Sequence, residues 1–110
     1  MTEHEVQKAI LEFLAYQRKC YCWRNNTGAF GGTYTRKDGV TKNRFIKFSE
    51  KGAADVFFVM NGKFYAIECK GKKGEQSEDQ AEWQKKIEDA GACYILTNDL
   101  DDFMAWFKKL

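Results

Sequence analysis

The chain has 110 residues, 44% hydrophobic and 31% charged, with a formal net charge of +2 at pH 7. That length supports one domain, 1–110, around a single core, and the composition is that of a folded globular protein rather than a disordered one. No apolar run approaches the ~20 residues of a membrane span, and the acidic start MTEHEVQK is unlike a signal peptide, so a cytoplasmic protein is expected, with no membrane partner.

In chain order, residues 3–19 place Val6, Ile10, Phe13 and Leu14 at helical spacing. Thr2 is the natural N-cap, with Glu5 three residues on as its capping-box partner. Residues 20–24 read as a first strand. NNTGAFGG at 25–32 is rich in Gly and Asn and reads as a loop. A hairpin over 33–48 turns at Asp38-Gly39, and a second, over 54–70, turns at Asn61-Gly62. After the polar loop GKKGEQ, Ser77 caps a helix over 77–90 with Trp83, Ile87 and Ala90 on one face, and Gly91 stops it. Residues 92–97 form a short apolar strand. Asn98 or Asp99 then caps a last helix bearing Phe103, Met104, Phe107 and Leu110. Strand 63–70, helix 77–90 and strand 92–97 make a βαβ unit with parallel strands, so the fold class is α/β, a mixed sheet flanked by helices.

From 24 to 51 the chain carries seven basic residues (Arg24, Arg36, Lys37, Lys42, Arg44, Lys47, Lys51) against two acids, Asp38 and Glu50. Interleaved with Phe30, Tyr34, Phe45 and Phe48, they form a candidate nucleic-acid backbone surface. The competing reading is a solvated hairpin with ordinary lysines. Cys20-x-Cys22 lacks the usual zinc-site spacing and His4, the only histidine, is distant, so Cys20, Cys22, Cys69 and Cys93 read as reduced thiols. In the last helix Trp106 lies beside the Phe103–Phe107 face, an arc wider than a monomer should cover, which predicts a homodimer.

The second hairpin raises a problem. A two-residue type I′ turn pairs Met60 with Lys63, Val59 with Phe64 and Phe57 with Ala66, leaving Asp55 opposite Glu68. Two carboxylates with ~5 Å between their Cβ atoms repel. Lys70 shares their face, so an exposed ion pair is the bland explanation. Yet 53–69 is too apolar for a solvated ribbon, and a divalent cation is the natural remedy for acids at the rim of a buried sheet. Oxygen ligands without His or thiolate favour Mg2+ or Mn2+. A carboxylate-held metal beside a lysine, on a protein with a basic face, is a constellation for phosphodiester hydrolysis.

Asp55 followed by Glu68-Cys69-Lys70 resembles the D…(D/E)-x-K signature of the restriction-endonuclease-like (PD-(D/E)XK) superfamily. The helix EHEVQKAILEFL, RNNTGAF at 24–30, GAAD at 52–55, IECK at 67–70, and SEDQ followed by Trp83 and Ala90-Gly91 are similar to the virus-type replication-repair nuclease (VRR-NUC) domain. The similarity runs through nearly the whole chain. One departure is Ala54, where family members often have a proline that stiffens the strand entry.

The resemblance implies a restriction-endonuclease-like αβββαβ core, with Asp55 and Glu68 as metal ligands and the Cys69 backbone carbonyl as a third. It makes Lys70 the residue that orients the attacking water or stabilises charge on the phosphate. Gln80 matches the family's active-site glutamine, although Ser77-x-x-Gln80 is also a capping box. An early helical glutamate joins the metal site in this family, and Glu3 and Glu5 compete for that place. Glu3 shares the stripe of Val6, Gln7, Ile10 and Leu14 that must face the sheet, whereas Glu5 suits the cap. Gln7 either lines the site or is an ordinary flank residue. The implied activity is a Mg2+- or Mn2+-dependent DNA endonuclease in replication, recombination or repair, in a bacterial or phage-infected cell. Its implied substrate is branched DNA, the four-way Holliday junction foremost, and two matched nicks again point to a homodimer. The alternatives are a less selective flap or single-strand nuclease and a catalytically silent nucleic-acid-binding module.

Overall fold

Asn61 and Gly62 both have positive φ, 53° and 77°, as a type I′ turn requires. In this computed structural model, which describes residues 1–25, 29–47 and 50–110 (backbone alone for 29–32 and 43–47), that turn sets the register of the sheet. Strands β4 (Val56–Met60) and β5 (Lys63–Cys69) leave it paired Met60–Lys63, Val59–Phe64, Phe57–Ala66 and Val56–Ile67, as the sequence predicts. Strand β1 (Cys20–Arg24) lies antiparallel on the other edge of β4, and β6 (Cys93–Thr97) lies parallel to β5. The four-stranded order is β1-β4-β5-β6. Helix α2 (Glu78–Asp89) makes the crossover that the parallel pair needs.

Alternation along β4 and β5 gives the sheet two apolar faces. On one, Val56, Phe58, Tyr65, Ile67 and Cys69 pack against Val6, Ile10 and Leu14 of α1 (Glu3–Ala15) and Phe103 of α3 (Leu100–Phe107). On the other, Trp83 of α2 packs beside the Tyr94 ring and over Ala54 and Ala66, whose small side chains leave room for the indole. The fold is therefore α/β, a mixed sheet with three helices packed against it. No helix among the described residues is long and apolar enough to cross a membrane.

Helix ends follow their caps. Thr2 with Glu5 and Ser77 with Gln80 form complete capping boxes. Helix α1 stops at Ala15, four residues before the sequence-predicted end. There Gln17 turns its N–H to the Leu14 carbonyl and its side chain to that of Phe13, and Lys19 takes φ 54° to enter β1. At the end of α2, Gly91 has φ 99°. Its N–H donates to Glu88 and that of Ala92 to Ile87, a Schellman closure. Asp99, rather than Asn98, caps α3 through the Asp101 N–H.

Two expectations need correction. The segment read as a loop through Gly32 contributes Ala29–Gly32 to strand β2 (Ala29–Thr35), which pairs with β3 (Thr41–Lys47). Glycine composition predicts conformational freedom, but a ladder needs only main-chain groups, and the pairing continues through Gly32–Arg44 and Gly31–Phe45. Residues 26–28 of that loop and Phe48 at the end of the hairpin lie outside the described residues. Trp106 is not an exposed flank: it packs against Phe58, Tyr65 and Phe103 with ring centroids 5.5–6.5 Å away. The α3 arc is covered within the chain, so the homodimer loses that argument. The β2–β3 ribbon packs on no other element among the described residues, and the protein is long, 59 × 32 × 27 Å.

Gly52 joins the segment leading into β4 to the first turn of α2. It has φ 82°, and a Cβ there would run into the Asp79 carbonyl. Gly52→Ala should lower stability by more than ~2 kcal/mol, because strain and backbone collision add. Gly91→Ala, at φ 99° with nothing within 4 Å, should cost only about 1 kcal/mol. Urea unfolding midpoints at unchanged m-value check the difference.

Candidate active site

The last ladder pair of the hairpin is Val56–Ile67, and the next position on each strand carries an acid. Glu68 lies on the α2 side of β5 and is 2% exposed. Asp55 does not stand free opposite it. Its Oδ2 accepts the Cys69 N–H at 3.1 Å, and its carbonyl accepts the Asn25 N–H at 2.7 Å. The Asn25 side chain also donates to the Ala54 carbonyl at 2.9 Å, so the end of β1 pins the Asp55 segment. Glu3, in the first turn of α1, completes the cluster. One carboxylate oxygen from each of Glu3, Asp55 and Glu68 lies within 4.8 Å of the others.

Both remaining polar residues of the predicted site converge on Glu68. Its Oε1 accepts from Gln80 Nε2 at 2.6 Å and lies 3.6 Å from Lys70 Nζ, whose side chain is 12% exposed. Its Oε2 is buried without a hydrogen-bond partner among the described residues. Burial, and after it the nearby Asp55 charge, push the Glu68 carboxyl up to about 8, with Lys70 opposing the rise. Burial also raises Asp55, against the lowering effect of the Cys69 N–H. The Cys69 thiol is held well above its ordinary range, chiefly by burial, and all four cysteines are free.

Glu3, Asp55, Glu68, Lys70 and Gln80 thus come together as the sequence predicts. Glu5 does not join them: it closes the box on Thr2, accepting the Thr2 N–H at 3.3 Å. Gln80 closes the cap and reaches the acidic cluster at once. Its Oε1 accepts the Ser77 N–H at 2.9 Å while its Nε2 holds Glu68. Gln7, 8% exposed, lines a cleft of about 290 Å3 beside the acids, together with Glu3, His4, Arg24, Asn25 and Asp55. His4 and Asn25 were not anticipated as site residues. The signal for His4 was its place in the same helical turn as Glu3, and for Asn25 its place directly after Arg24.

The basic segment divides. Arg24 stands at this cleft rather than with the ribbon. Arg36, Lys37 and Lys42 are exposed on the ribbon, where Arg36 is paired with Asp38 at 2.7 Å. Lys51 is held by Asp79 at 3.3 Å. The side chains of Arg44, Lys47, Phe30 and Phe45 lie outside the described residues.

Glu3, Asp55 and Glu68 could hold a divalent cation. Ligands of a Mg2+ ion stand about 3.0–4.2 Å apart, inside the 4.8 Å limit that these oxygens keep, and oxygen-only donors suit Mg2+ or Mn2+. The unpartnered Oε2 of Glu68 is the atom such an ion would satisfy. The sequence matches no protein-family model and no curated protein, so the functional reading rests on this geometry and on the motif resemblance.

In the metal-free protein Glu68 keeps its proton to about pH 8 when folded, against an ordinary value of 4.5. Between those values the folded state binds more protons than the unfolded one, so stability falls as pH rises. Thermal melts should show this decline, and Glu68→Gln should flatten it. A level or rising profile would contradict the burial of this carboxyl.

Proposed function

We propose that the protein is a Mg2+- or Mn2+-dependent DNA endonuclease of VRR-NUC type that hydrolyses phosphodiester bonds. The observation that carries this reading is the buried Glu68 carboxylate, with one oxygen unpartnered and the other shared by Lys70 and Gln80, facing Asp55 and Glu3. Such an arrangement has no evident use in a binding module, because converging acids repel phosphate. The order α1-β1-β4-β5-α2-β6 supports an αβββαβ core of the restriction-endonuclease-like kind, with the β2–β3 ribbon inserted and α3 appended.

When bound, the cation would polarise a phosphoryl oxygen and lower the pKa of an attacking water. Asp55, Glu68 and Glu3 would hold it, with the Cys69 carbonyl as a further oxygen. Lys70, mostly buried beside Glu68, orients the nucleophilic water or stabilises the charge that builds on the phosphate. Gln80 fixes the rotamer of Glu68, and its own position is fixed by the Ser77 cap.

Branched DNA, the four-way junction foremost, is the proposed substrate in replication, recombination or repair, and the exposed cations of the ribbon are the proposed backbone contacts. Two matched nicks require two sites, which keeps a homodimer in the proposal. Tyr21, 71% exposed, and its neighbours Trp23 and Val59 give a second copy an apolar surface on the sheet. Light scattering with and without junction DNA tests the dimer, and an active species that stays monomeric would exclude it.

The cleavage test uses labelled junction, flap, single strand and duplex with Mg2+, Mn2+ or chelator. Asp55→Asn, Glu68→Gln and Lys70→Ala should each cut at least about 10³-fold more slowly while DNA binding persists. A wild-type protein that cuts none of the panel, or any of these variants cutting at near wild-type rate, would sink the proposal. Neutralising Arg36, Lys37 and Lys42 together should weaken binding on every sequence and flatten its salt dependence. An unchanged slope would return the ribbon to an ordinary solvated hairpin.

A further inference from the structure

The cleft beside the acids has a wall that metal binding does not explain. Arg24 lines it together with Glu3 and Asp55, yet its guanidinium is within ion-pair distance of no carboxylate among the described residues. Gln7 projects into the same cleft from α1. The residue is 8% exposed, and its amide has no hydrogen-bond partner among the described residues and is open to the solvent of the cleft. It therefore meets water there, which the polar edge of a ligand can displace. Asn25, by contrast, is engaged with the backbone of Ala54 and Asp55 and serves as scaffold.

A ligand for this cleft must offer an anionic oxygen to Arg24 and, on its other side, a polar edge to an amide that both donates and accepts. A nucleotide unit meets both demands. At about 290 Å3 the cleft is at the small end of ligand sites, enough for one such unit and not for a stack. We propose that it seats the nucleotide next to the scissile bond, Arg24 gripping its phosphate and Gln7 reading the edge of its base. Resting on the nuclease reading above, this adds a base preference at one position beside the cut, set by a residue outside the metal cluster.

The test titrates inorganic phosphate and the four deoxynucleoside 5′-monophosphates into the 15N-labelled chain with Mg2+ present, following amide shifts. Shifts should fall at residues 3–7 and 24–25, with the Gln7 side-chain amide among them. Arg24→Gln should weaken phosphate and every nucleotide about tenfold. Gln7→Leu should leave phosphate binding within about twofold and equalise the four nucleotides. Shifts elsewhere, undiminished binding by Arg24→Gln, or undiminished discrimination by Gln7→Leu would each overturn the assignment. Because Arg24 is exposed, its variant remains informative should Gln7→Leu fail to fold. Nucleotide capture here by a protein that cuts no DNA would support this inference and remove the nuclease reading. DNA cleavage at wild-type rate and base preference in both variants would do the reverse.

Discussion

Glu68 is 2% exposed and meets two other carboxyl groups within 4.8 Å, a cluster whose fully ionised form burial strongly disfavours. Three contacts relieve it, two from the residues that follow Glu68 and one from α2. Lys70 brings a counter-charge from two residues along the strand, Gln80 a hydrogen bond from α2, and the Cys69 N–H engages Asp55. Only Glu68 Oε2 is left over. A fold stabilising itself alone would replace such a group with an apolar one, since buried charge is costly even when paired. Its presence is the strongest physical argument that the site exists to bind something.

The scaffold keeps Glu68 from escaping. Its neighbours Ile67 and Cys69 are fully buried against α1 and α3, so strand alternation holds the carboxylate on the opposite face. Trp83 and Tyr94 close that face further along. Helices from both layers then reach over the same end of the sheet, α1 delivering Glu3 and α2 delivering Gln80. Gly52 lets the Asp55 segment lie directly on the first turn of α2, so the two halves of the site share one rigid contact.

Much of this was legible in the sequence because the signals were local. Asn61-Gly62 admits one tight turn, and with the register settled the facing of Asp55 and Glu68 followed by counting. Thr2-x-x-Glu5 and Ser77-x-x-Gln80 marked helix starts, and assigning Glu5 to the cap left Glu3 for the site. What failed depended on partners distant in sequence. Helical spacing gives the angle at which Trp106 leaves α3, but Phe58 and Tyr65, which receive it, come from strands. The glycines at 31 and 32 predicted a loop because composition does not register a ladder carried by main-chain groups. Gln80 posed as a choice between roles because a pattern treats a side chain as one unit, while an amide has two ends.

Both helices that touch the site do so with their N-terminal turns, Glu3 opening α1 and Gln80 lying in the first turn of α2. Each helix start carries roughly half a positive charge from its aligned peptide dipoles, effective within about one turn. Two such fields meeting at the acidic cluster favour its ionised form, opposing the burial that disfavours it. They also outlast that task. Were a cation to neutralise the carboxylates, the backbone contribution left over would be positive, the sign that an anionic group requires.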